Sequence, residues 1–167
     1  FGKLSPADFT QMAPDFDTGA HAVVLGDVGV SRIVPNHSGG FGYYFERKIR
    51  VKILDKNGVD AGKFLIPVYF SKTSDAKEDV KAIKGTTYNL EAGKVVETKL
   101  DNDQIFTEKQ SRNYHEKKFS MPALREGSIF EVSYRIESDF LFEFRPWLFQ
   151  GDYPCLWSEY EVEVPEF

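Results

Sequence analysis

The feature that most constrains this chain is a hydrophobic period of two, repeated along most of its length. From Tyr43 to Ile53 the odd positions are Tyr43, Phe45, Arg47, Ile49, Val51 and Ile53, and the even ones are Tyr44, Glu46, Lys48, Arg50 and Lys52. In a strand, that alternation sends one set of side chains to a core and the other to solvent. The same grammar returns in Ser128–Ile136, in Phe140–Phe144 and in the acidic run ending Tyr160-Glu161-Val162-Glu163-Val164. Ala20–Leu25, Val28–Val34, Phe64–Phe70, Val80–Asn89, Lys94–Leu100 and Asn113–Met121 bring the expectation to about ten strands. Asp55-Lys56-Asn57-Gly58 and Ala92-Gly93 read as turns, the first closing a hairpin between Tyr43–Ile53 and Phe64–Phe70. Short half-polar strands without helical periods between them fit antiparallel sheets packed face to face; a closed barrel is the alternative.

One helix is expected. Ser5-Pro6-Ala7-Asp8 combines a capping serine, a proline at the first helical position and an acid that can answer back, and Pro14 stops the helix near Met12. The fold class is thus all-β: a single domain over residues 1–167, an antiparallel β-sandwich with a short N-terminal helix over a sheet. Pro35–Gly40 and Ser71–Asp79 are its long loops.

Composition narrows the function classes. Fifteen Phe, eight Tyr and two Trp exclude a disordered chain. No apolar run approaches the roughly 20 residues a membrane-spanning helix needs. The net charge of -5 argues against a nucleic-acid partner. The single cysteine, Cys155, rules out an internal disulfide. The chain begins at Phe1 and ends one strand-stopping proline, Pro165, before Phe167, which reads as a processed or trimmed piece of a longer protein.

Tested for chemistry, the residues favour structure. Cys155 lies on the approach to a strand, without the helix N-terminus that would lower its pKa, and reads as a small apolar residue. His21 and His115 fall in expected strands and His37 in a Gly/Ser/Asn loop, none at metal-ligand spacing from another. Asp101-Asn102-Asp103 and Asp55–Gly58 lack a full calcium-loop ligand series and read as turns. Gly39-Gly40-Phe41-Gly42 precedes no helix and is no phosphate loop. Asn36-His37-Ser38 matches a glycosylation sequon. Lys48, Arg50 and Lys52 form a cationic stripe, read as a solvated face beside acidic neighbours. Trp147, Tyr153 and Trp157 cluster near the C-terminal end; burial at a junction and an exposed interaction surface both explain them. No catalytic residue, metal or cofactor is assigned.

The order of several motifs adds a resemblance. Phe1-Gly2-Lys3-Leu4-Ser5, Ala20–Leu25, Lys48–Leu54, Lys81–Lys94, Lys118–Pro122, Gly127–Tyr134 and Trp147–Gln150 occur in the sequence expected of the uncharacterised domain found ahead of transglutaminase-like domains in Gram-negative bacterial envelope proteins. The chain resembles that family along nearly its whole length, with His21 where an Asp is common. The resemblance implies an immunoglobulin-like β-sandwich, followed in full proteins by a papain-type fold with a Cys-His-Asp set, of which Cys155 is not a counterpart. It also implies export to the cell envelope, periplasmic or secreted. The expected role is a non-catalytic accessory or interaction domain that packs against or positions that downstream domain in the same chain. A glycan-binding envelope module is the alternative, with glycan or peptide as ligand.

Overall fold

The structure, a computed structural model, describes residues 1–36 and 39–166. His37 and Ser38, the last two residues of the sequon, therefore lie outside the described residues, as does Phe167. Nine strands form among the described residues: β1 (Ala22–Pro35), β2 (Phe41–Ile53), β3 (Lys63–Tyr69), β4 (Glu78–Glu91), β5 (Lys94–Lys99), β6 (Phe106–Ser111), β7 (Tyr114–Ser120), β8 (Ile129–Ser138) and β9 (Ser158–Glu163). They make two sheets, one of six strands in the order β5-β4-β8-β2-β1-β9 and one of three in the order β3-β7-β6. The all-β class is as expected.

The inner face of the large sheet is built by the alternation seen in the sequence. Tyr43, Phe45, Ile49, Val51 and Ile53 of β2 are buried together with Phe130, Val132, Tyr134 and Ile136 of β8. Ile66 and Phe119 face them from the small sheet. Phe64 stacks on Phe119 at 5.0 Å and meets Phe130 edge-on at 6.1 Å, which pins the two sheets together. A fully buried side chain of this size contributes about 2–3 kcal/mol through the water it sheds.

Several local expectations need correcting. Ala20–Leu25 and Val28–Val34 are one strand, β1, whose register against β2 shifts between Val24 and Gly26. β6 is additional: every one of its residues is exposed, so it carries no alternation to find. Phe140–Phe144 is not a strand; its period of two arises in an irregular segment, where Tyr43 donates to the Glu143 carbonyl and packs on Phe144. β2 and β3 do not form a hairpin, because they belong to different sheets. Between them Lys56–Gly62 winds a 3₁₀ helix, capped by the Asp55 carboxylate accepting from the Asn57 N–H at 2.7 Å. An ideal Cβ on Gly58 would stand 2.0 Å from the His21 carbonyl oxygen, so this crossing needs glycine there. Not all pairing is antiparallel, since β9 lies parallel to β1 at the sheet edge. His21 sits in a bend just before β1, its Nδ1 2.7 Å from the Asp55 carboxylate.

The N-terminal helix is a 3₁₀ helix over Pro6–Thr10, with Asp8 accepting from the Ser5 N–H at 2.7 Å and from its hydroxyl at 2.8 Å. Its carboxyl is held below the ordinary carboxylate range, chiefly by the Ser5 N–H. This segment also overturns the solvated reading of the cationic stripe. Lys52 is buried and donates to the carbonyls of Phe9 (2.8 Å) and Gly127 (2.9 Å). Arg50 pairs with Glu131 and donates to the Gly2 carbonyl, while Phe1 lies over Arg50 and Lys48. The stripe is the seat of the N-terminal segment.

Candidate functional site

Three strands cannot cover the inner face of six. The uncovered part, near β1 and β9, carries polar inward positions: Asp27, Gly29 and Ser31 on β1 and Arg47 on β2. The connection from β8 to β9, residues 139–157, folds back over it. Between this segment, β3 and the large sheet lies a cleft of about 560 Å³ with a mixed apolar and charged lining.

Two ion pairs form its polar wall. Arg47 holds Asp27 through two parallel bonds, Nε to Oδ1 at 2.8 Å and Nη2 to Oδ2 at 2.6 Å. Burial alone would lower the Arg47 pKa, but hydrogen bonding to Asp27 and the field of Tyr134 outweigh it and raise the guanidinium above its ordinary value. Arg145 donates to Glu78 at 2.5 Å and to the Pro67 carbonyl at 2.6 Å, and Glu78 also accepts from the Tyr69 N–H at 3.1 Å. Burial pushes the Glu78 carboxyl up despite Arg145. This pair therefore caps the free backbone edge of β3, where a further strand would otherwise sit.

The three sequence-predicted aromatics have different places. Trp147 is half-buried: it stacks on Tyr160 at 5.2 Å, lies 5.5 Å from the Arg47 guanidinium and donates to the Ser158 hydroxyl at 3.0 Å. Its ring occupies the space over Gly29, where an ideal Cβ would be 2.3 Å away. Tyr153 is half-buried against the core and lines the cleft, and burial raises its phenol pKa. Trp157 is 60% exposed. It belongs with Phe142, Leu148, Phe149 and Leu156 to a run of exposed apolar side chains on the same connection.

Cys155 is buried, with its thiol donating to the Trp157 carbonyl at 3.2 Å. Burial pushes the thiol pKa up, the opposite of activation. Gln150 clamps its backbone from both sides at 3.0 Å, and Cys155 bridges to Val24. His115 packs on Phe70 at 4.4 Å on β7 of the small sheet, while His21 sits beside Asp55 ahead of β1. Among the described residues no three His, Cys, Asp or Glu side chains are grouped to hold a metal ion. Asp101-Asn102-Asp103 enters a 3₁₀ turn. No described helix is long and apolar enough to cross a membrane.

The residues that build the cleft are those sequence reasoning passed over. Asp27, Arg47, Glu78 and Arg145 were invisible as pairs because their partners lie 20 and 67 positions apart. The one local sign was Arg47, a charge at an inward position of an otherwise apolar face.

The family model of DUF3857, described as a domain of unknown function with a solved structure, matches residues 42–167. The chain belongs to this family. The match takes in β2 through β9 and the whole 139–157 connection. No curated protein matches the chain. Among solved structures, the DUF3857 domain is similar to a crystal structure of a candidate protease from Parabacteroides distasonis ATCC 8503, with a TM-score of 0.53 and 14% identity. The alignment covers 71% of this chain and 23% of that one. The domain therefore spans about a quarter of that protein's length, and the likeness is one of fold.

Proposed function

We propose that this domain is a non-catalytic accessory module that packs against or positions a downstream transglutaminase-like domain of papain-type fold. In this reading it is an immunoglobulin-like sandwich exported to the bacterial envelope, working in the periplasm or outside the cell. One observation carries it: Phe142, Leu148, Phe149, Leu156 and Trp157 are each exposed on the one connection that leads into the last strand. Apolar side chains concentrated on one segment mark a surface that another body covers. The Parabacteroides protein, named for a protease and about four times the length of the aligned part, supports a multidomain setting. The raised thiol of Cys155 fits a structural role.

The test is turnover. The domain alone, assayed with peptide and glutamine-donor substrates, is expected to be inactive, while a longer product with the downstream domain is active and loses activity on Phe149→Ser with Trp157→Ser. Robust turnover by the domain alone, abolished by a single side-chain change, would defeat the proposal. Glycan binding lost on Trp157→Ala would instead favour the envelope-lectin reading, which rests on that tryptophan's exposure.

A further inference from the structure

The opposite flank of the molecule is also left open, and its chemistry is different. β5 pairs with β4 only from Thr86 to Glu91, and β8 pairs with it on the other side from Glu78 to Tyr88. The stretch of β4 from Asp79 to Lys84 therefore has a strand neighbour on one side only. Within it the register slips between Lys81 and Lys84, where Ala82 takes a φ of 52°. Here a groove of about 800 Å³ is lined by residues of both sheets.

Its floor is apolar: Val80, Ile83, Leu100 and Ile105 are partly buried and packed onto the main core. Its rim is cationic, with Lys84, Lys99 and Lys117 lining it and no acidic residue among its lining. Lys117 comes from an inward position of β7, where a closed sandwich would place an apolar side chain; its ammonium donates to the Thr107 hydroxyl at 2.8 Å. Lys84 and Lys99 have no carboxylate partner among the described residues. Such a concentration is unusual in a chain whose net charge is -5. Lysines and a bulge also guard a strand edge against sheet aggregation. They do so at a flat edge, and give no reason for an apolar floor between the layers.

We propose that this flank binds an extended acidic peptide, which adds as a strand beside Asp79–Lys84 and sets its carboxylates against Lys84 and Lys99, the two lysines on the outer face of the large sheet. Main-chain bonds to the open edge supply affinity, alternate apolar side chains enter the floor beside Lys117, and the intervening acids, on the outer face, read Lys84 and Lys99. The partner is a protein with an acidic, alternating segment. The surface is separate from the exposed aromatics of residues 139–157, so it can be occupied whether or not those are covered.

The experiment is an NMR and fluorescence titration of the whole domain with a labelled peptide of alternating Val and Glu. A Val/Lys peptide and vesicles of phosphatidylglycerol with phosphatidylcholine serve as comparisons. Shifts confined to residues 79–86, 99–105 and 117, with binding that weakens as salt rises, are expected. Lys84→Glu with Lys99→Glu should lower affinity roughly tenfold or more, since each attraction becomes a repulsion. Both lysines are exposed, and an unchanged melting temperature confirms that the variant folds. The proposal is overturned by absence of binding, by shifts that map to β6 or β9, by equal binding of the Val/Lys peptide, by an unaffected double variant, or by binding to the vesicles alone.

Discussion

Asp27→Ala isolates the polar wall of the cleft. The Asp27 side chain is 7% exposed and the Arg47 side chain 31%, so the substitution strands a guanidinium that is mostly out of water under Trp147. Removing one partner of a fully buried pair costs about 3–5 kcal/mol. Arg47 keeps some access to water, which places the expected loss at about 2–3 kcal/mol. For a domain of this size that lowers the melting temperature by roughly 5–10 °C. Adding Arg47→Met to Asp27→Ala should restore most of it, because the stranded charge goes and the apolar stem stays. Urea denaturation of the four species gives the cycle, with constant slope as the check that only stability has changed. A Trp157→Phe background leaves Trp147 as the sole indole reporting from the pair. A single variant within about 0.5 kcal/mol of the parent, or a double variant as unstable as the sum of the singles, refutes the reasoning.

Gly29→Ala should cost about 1–3 kcal/mol and shift Trp147 emission to the red, since the new methyl meets the indole; unchanged emission and stability would mean that the ring does not sit there. At the β4–β5 turn Ala92 and Gly93 have φ of 47° and 76°, so Ala92→Asn should stabilise by about 0.5 kcal/mol in thermal melts, and a loss would contradict that backbone. Asp8 is held below its ordinary carboxylate value, so the bond it makes stabilises the N-terminal segment above the unfolded pKa and is lost as pH falls through the folded one. Amide exchange at Ser5 should accelerate across that window relative to its intrinsic rate. In Asp8→Asn this acid-dependent step disappears, and its persistence would assign it to another carboxylate.

Where one face is buried and the other wet, period two carries enough information to place a strand, and β2 and β8 are legible for that reason. β6 is exposed on both faces and leaves no pattern. Phe140–Phe144 shows the converse. Its aromatics alternate in sequence, yet Phe144 packs on Tyr43 while Phe142 faces outward at 94% exposure, so the alternation marks no common face. Sheet membership is non-local, so the crossing at Gly58 looks like a hairpin turn until the close approach of the His21 carbonyl is seen. The fate of the cationic stripe depended on Phe1, Gly2 and Phe9, more than 40 residues away along the chain. At the site, the exposure of Trp157 and the stacking of Trp147 are decided by a single loop path, which no spacing rule encodes.

Hydrogen–deuterium exchange on the domain alone and on a longer product carrying the proposed downstream domain tests the proposed accessory role most directly. Stronger protection of residues 140–157 in the longer product, with β5 and β6 unchanged, is what a covered aromatic surface predicts. Identical exchange of that segment in the two proteins would contradict it.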